Sequence, residues 1–162
     1  MCDVVQLQLW TSAALPLLAV PPAIAADVRR YVDRQLTKAA IISAVGVKLC
    51  REGSLARGLE CLERAQAIYI VLGDAAAVRQ VLLQMGEEHL QVGHLVPTIC
   101  CYQEALSLSR GLGRVAEVEA LRRLEMVYER AAMPFSAADM AQQVALLTSG
   151  VGHLQCCSDF TE

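Results

Sequence analysis

Residues 46–65 read GVKLCREGSLARGLECLERA, and residues 86–105 read GEEHLQVGHLVPTICCYQEA. Set one above the other, Gly46 falls on Gly86, Gly53 on Gly93, Leu55 on Leu95, Cys61 on Cys101 and Ala65 on Ala105, all at an offset of 40. A fixed period of this size marks stacked supersecondary units, none of which can bury its apolar face alone. The echo selects an all-α fold and points toward binding rather than chemistry.

Around it, apolar residues recur at helical spacing. Leu55, Leu59, Leu62, Ala65 and Tyr69 share one side of a helix. Val78, Leu82, Met85, Gly86 and His89 share another, and Leu95, Ile99, Tyr102, Ala105 and Leu108 or Ser109 a third, at spacings of three and four. The breaks are periodic as well: Gly53-Ser54 and Gly93-His94 form one set of turns, Gly73-Asp74 and Gly113-Arg114 the other. Glycine just past a helix end accepts the left-handed conformation, and Asp74 suits the start of the next helix as a cap. The expected layout is three antiparallel pairs: 35–52 with 55–72, 75–92 with 95–112, and 114–132 with 136–148. In the third pair Leu121, Leu124 and Tyr128 match Leu82, Met85 and His89 at an offset of 39, and Pro134 breaks the chain at the turn.

Projected backwards, the period places Ala25 where Ala65 stands and predicts a helix over 21–33, preceded by a degenerate helix over 4–18. The apolar run from Leu7 to Val20 therefore reads as an incomplete repeat. A secretory leader wants a basic start, whereas the first basic residue is Arg29, and Pro16, Pro21 and Pro22 interrupt the segment. The same interruptions argue against a membrane span. The predicted organisation is a degenerate N-terminal helix pair or capping segment over 1–34, helical repeats over 35–148, and a flexible tail over 149–162.

Composition agrees with helices. Of 162 residues, 55% are hydrophobic and 19% charged, against about 45–50% and 25% in ordinary domains. Only 4% are aromatic, too few for a typical sheet protein. The net charge of −3 argues against a nucleic-acid module. Seven cysteines, odd in number and irregular in spacing, do not form a disulfide framework; they place the chain in a reducing, cytoplasmic compartment.

The series Ile42, Val45, Gly46, Leu49, Gly53, Gly58, Leu62, Ala65 and its second copy Leu82, Met85, Gly86, His89, Gly93, Thr98, Tyr102, Ala105 resembles the tetratricopeptide repeat. The family's usual Trp and its closing Pro are missing. The period exceeds the standard ~34 residues and is similar to the long subtype found in spindle-orientation and receptor-clustering adaptors. The segments LERAQAIYIVLGD and YQEALSLSRGLGR resemble that subtype's second helix and turn. The resemblance implies a right-handed α-solenoid superhelix of antiparallel helix pairs, three repeats plus the degenerate N-terminal pair, and a scaffold rather than a catalyst. In such a fold the first helices line a concave surface. The side turned away from each packing stripe selects Ser43, Val47, Cys50 and Arg51, then Leu83, Glu87, Leu90 and Gln91, then Arg123, Val127 and Arg130. This mixed lining suits an extended peptide or an amphipathic partner helix.

Chemistry-bearing motifs are absent. The sequence holds no P-loop, dinucleotide fingerprint, H-E-x-x-H or nucleophile elbow. Gly111-Leu112-Gly113 reads as a helix–helix turn. His89 sits where a ring packs between helices, and His94 lies in a turn. His153, Cys156 and Cys157 have ligand chemistry but not the paired spacing of a structural zinc site. Cys100-Cys101 lies in a helix, with one thiol packed and the other more exposed. Glu87-Glu88 and Arg122-Arg123 read as solvated or groove-facing edges. No enzyme, cofactor or metal is expected. Chaperone-tail clamps in this family use Lys, Asn and Arg; with no Asn, and Lys only at 38 and 48, the chain departs from that pattern. The expected function is a non-catalytic interaction scaffold or adaptor. The alternative is a structural subunit, or a piece of a larger helical-repeat protein or obligate complex, whose apolar faces stay covered. The mean hydropathy of +0.40 speaks for the alternative.

Overall fold

The structure, a computed structural model, describes residues 22–149. Six helices account for nearly all of them: α1 Pro22–Arg51, α2 Leu55–Leu72, α3 Ala75–Gln91, α4 Leu95–Leu112, α5 Arg114–Arg130 and α6 Pro134–Thr148. No strand occurs among the described residues. The expected helix over 4–18, all of the expected tail but Ser149, and His153, Cys156 and Cys157 lie outside them.

The turns fall where the glycine pattern puts them. Gly73 takes the left-handed conformation at φ 72°. Its amide then donates to Ile70 O, and the Asp74 amide donates to Tyr69 O, closing the end of α2. The Asp74 carboxylate accepts from the Ala77 amide at 2.9 Å and caps α3. The third pair departs from this pattern. Ala132 occupies the register of Gly53 and Gly93 (93 + 39 = 132) and carries φ 56° with a Cβ attached.

One expected break is missing. The 40-residue projection put a turn near Asp33-Arg34, between helices over 21–33 and 35–52. Instead α1 runs unbroken from Pro22 to Arg51. The reason is local: Asp33 stands where the period would need the glycine of Gly73, and residues 31–38 hold no Gly or Pro to stop a helix.

The chain divides into two units, Met1–Gln35 and Leu36–Glu162. In the first, the described residues 23–34 are exposed except Val32, and Asp27 pairs with Arg30 along the helix. In the second, α2 packs on α3, α3 on α4, α4 on α5 and α5 on α6. Leu62, Val81 and Met85 form one buried cluster, joined by Val47, Leu59, Tyr69 and Cys101. A larger cluster runs through α3–α6 around Leu83, Tyr102, Leu121, Leu124 and Val127.

The helices cross closely where the sequence is small. A Cβ on Gly46 would lie 2.8 Å from Gly58 O, and one on Gly86 would clash with Tyr102 Cε1, at the ring's edge. The actual buried stripe of α1 includes Ala39, Ser43 and Gly46, rotated from the expected Ile42–Val45–Leu49 line; Val45 is exposed.

Candidate functional site

The face to which the groove residues were assigned is built by α1, α3 and α5, which are joined by polar side chains. Ser43 Oγ donates to Gln84 Oε1 at 2.9 Å, tying α1 to α3. Between α3 and α5, Arg123 Nη1 lies 3.5 Å from Glu87 Oε2, and its Nη2 3.4 Å from Glu119 Oε1. Tyr102, fully buried on α4, donates its hydroxyl to Glu87 Oε2 at 3.4 Å. Its ring centroid lies 5.9 Å from the Arg123 guanidinium carbon.

Arg79 makes the tightest of these links. Its side chain is buried, with Nε donating to Ser109 Oγ at 2.7 Å and Nη2 to Ala116 O at 3.1 Å and Glu119 Oε2 at 2.5 Å. Ser109 Oγ in turn donates to Ala105 O. A buried guanidinium needs its donors satisfied, and this one reaches α4 and α5 together. The hydrogen bond from Arg79 holds the Glu119 carboxyl below the usual carboxylate range.

The sequence-selected groove residues separate into two groups. Arg51, Gln91 and Arg130 are exposed, and Val47 is half-buried. The three exposed residues share one register, since 51 + 40 = 91 and 91 + 39 = 130. Glu87 and Arg123 are brought together, but as partners of each other. Leu83, Leu90 and Val127 correct the expectation: all three are buried in the α3–α6 cluster. The side-away-from-the-stripe rule does not foresee their burial, because it leaves only one face of each first helix covered. Cys50 is also misassigned. It fills the space beside Gly58, with Sγ 3.8 Å from Leu55 O, so it packs the α1–α2 turn. Ser43 is likewise consumed between helices.

Glu88 is not a solvated edge. It is 4% exposed, and burial raises its carboxyl above the usual range, with Arg51 opposing the shift. His89 is half-buried, its ring 5.9 Å from that of His94, and its Nδ1 has no hydrogen-bond partner among the described residues. Burial lowers its pKa, which favours the neutral ring. Cys100 is exposed, and Cys101 is half-buried with its thiol pushed up to about 11 by burial. No group of three His, Cys, Asp or Glu among the described residues could hold a metal ion. None of the helices of the described residues is long and apolar enough to cross a membrane.

Sequence reasoning missed Arg79, Gln84, Ser109 and Glu119. A signal existed in part: Thr98 and Ser109 are polar residues on the apolar stripe of α4, and each is buried and hydrogen-bonded. The chain matches no protein-family model and no curated protein.

Proposed function

We propose that the chain is a non-catalytic interaction scaffold of tetratricopeptide type, working in a reducing intracellular compartment. Its helix pairs continue one another as a right-handed solenoid, and it binds a partner peptide or helix across the first helices. The observation that carries this reading is the in-register set Arg51, Gln91 and Arg130, exposed on α1, α3 and α5 while the residues between them lock those helices together. Two cations and one amide at a repeated spacing suit a partner presenting carboxylates or backbone carbonyls.

The exposed apolar side chains Val71, Val96 and Phe135 favour the second reading, a subunit whose outer faces are permanently covered. The two readings part in one experiment. Peptides selected by display on the intact chain are titrated against Arg51→Glu/Arg130→Glu and against the α2 control Arg57→Glu/Arg64→Glu. A groove scaffold loses about tenfold or more in affinity only in the first variant. Equal losses in both would refute groove binding. Acidic chaperone C-termini are expected not to bind; micromolar binding lost on Arg51→Glu or Arg123→Glu would overturn that expectation.

A further inference from the structure

One stripe recurs on all three first helices, and it is covered on only two of them. On α1 it is Ala39, Ser43 and Val47; on α3 it is Arg79, Leu83 and Glu87; on α5 it is Val118, Arg122 and Met126. The stripe of α1 is met by α3, through Ser43 and Gln84. The stripe of α3 is met by α5: Arg79 bonds Ala116 O and Glu119, Leu83 is 1% exposed, and Glu87 pairs with Arg123. On α5 the stripe lines an open cavity of about 700 Å³ instead, together with Arg114, Val115, Thr148 and the already paired Glu119 and Arg123. Val118 lies roughly 200° around α5 from Ala116, which faces α3, at about 100° per residue. Val115 is 86% exposed.

The chemistry of this face names its occupant. Val115 and Val118, with Met126 partly buried against the core beside them, give an apolar strip flanked by Arg114 and Arg122. The Glu119 carboxylate is taken by Arg79 and Arg123, whereas neither Arg114 nor Arg122 has an ion-pair partner among the described residues. The covering helix at the preceding step, α5, supplies a carboxylate, Glu119, to the cation beneath it. We propose that this face of α5 docks an acidic amphipathic helix of a partner protein, seated on α5 as α5 is seated on α3. A second copy of this chain fits poorly. By register its α1 would be the covering helix, with Ala40 and Ala44 where α5 has Glu119 and Arg123, and residues 36–51 hold no acidic side chain. This site is separate from the Arg51–Gln91–Arg130 register, so either can fail without the other.

The probes are two synthetic helical peptides with the same leucine face at i, i+3, i+4 and i+7, one flanked by Glu and the other by Lys. Each is titrated by fluorescence anisotropy against the full chain. The Glu peptide should bind about tenfold tighter than its Lys twin, and the preference should shrink with added salt. Val115→Glu and Arg122→Glu change exposed side chains and should leave the helical spectrum intact. Each should weaken the Glu peptide about tenfold, and Arg114→Glu/Arg122→Glu should reverse the order of the two peptides. Equal binding of both peptides, no binding, or losses matched by the α2 control Arg57→Glu would overturn the proposal. Self-association abolished by Val115→Glu would assign the face to a second copy. Glu-peptide binding that emerges only after Asp159→Lys/Glu162→Lys would assign it to the chain's own C-terminal residues. Either result would overturn a partner helix.

Discussion

At the scale of the residue, Gly86 decides how closely the second pair can cross. Its neighbours are the edge of the Tyr102 ring and Thr98, whose hydroxyl lies 3.3 Å from Gly86 O and donates to His94 O at 2.8 Å. Tyr102 is fully buried and cannot swing away without losing its bond to Glu87. Gly86→Leu should therefore force the crossing apart and cost about 1–3 kcal/mol or more, read from urea midpoints with the slope compared to wild type. A stability unchanged within error would remove the close-crossing assignment. Gly46 meets a different obstacle: its counterpart is the backbone of Gly58. The echo of Gly46 in Gly86 was visible in the sequence because both positions forbid a Cβ. The identity of what forbids it was not, since a glycine carbonyl and a tyrosine ring leave the same mark.

Among the elements, the third pair shows what a weakened repeat gives up. Ala132 holds the turn conformation that Gly53 and Gly93 hold elsewhere, and the left-handed region costs an L-residue about 1–2 kcal/mol. Glycine removes that strain but adds about 0.5–1 kcal/mol of unfolded-state entropy. Ala132→Gly should thus raise stability by about 0.5–1 kcal/mol, whereas Gly93→Ala should lower it; a drop in both would mean that Ala132 is not strained. The same pair contains a cavity of about 390 Å³, lined by Ala137, Ala138 and Ala141 against Glu125 and Glu129. By register Ala141 replaces Leu62 and Tyr102, and Glu125 replaces Gly46 and Gly86, so the large-on-small fit of the first two pairs is lost. The helices and most turns were legible because glycine and apolar spacing are local. The unbroken α1 was not: the period extrapolates a turn, but only the absence of a terminator at 31–38 reveals that the helix continues. The polar seam was also hidden, since Arg79 and Glu119 are 40 residues apart and nothing in either segment names the other.

Across Leu36–Glu162, that seam links one helix pair to the next. Arg79 joins the end of α4 and the start of α5 to α3, while Glu119 shares its carboxylate between Arg79 and Arg123. The apolar cluster spans the same helices, so the seam adds direction to contacts that alone would tolerate sliding. Removing Arg79 leaves Ser109 Oγ without its donor and Ala116 O without its side-chain partner, but Glu119 keeps Arg123 and is partly exposed, so it can be hydrated. Arg79→Ala should cost about 2 kcal/mol, and hydrogen exchange should quicken in α5 and α6 more than in α2. Acid should have a related effect. The Glu119 carboxyl lies below its ordinary value of 4.5 in the folded chain, so the unfolded chain binds its proton first as pH falls. The stability it contributes is present above that value and is lost as pH drops through the folded-state value. Glu119→Gln removes the titration and leaves every other acid in place, including Glu88, whose shift runs the opposite way. The wild-type advantage over Glu119→Gln should hold at neutral pH and vanish in acid. If the difference is independent of pH, the Arg79–Glu119 link is not what holds the second and third pairs together.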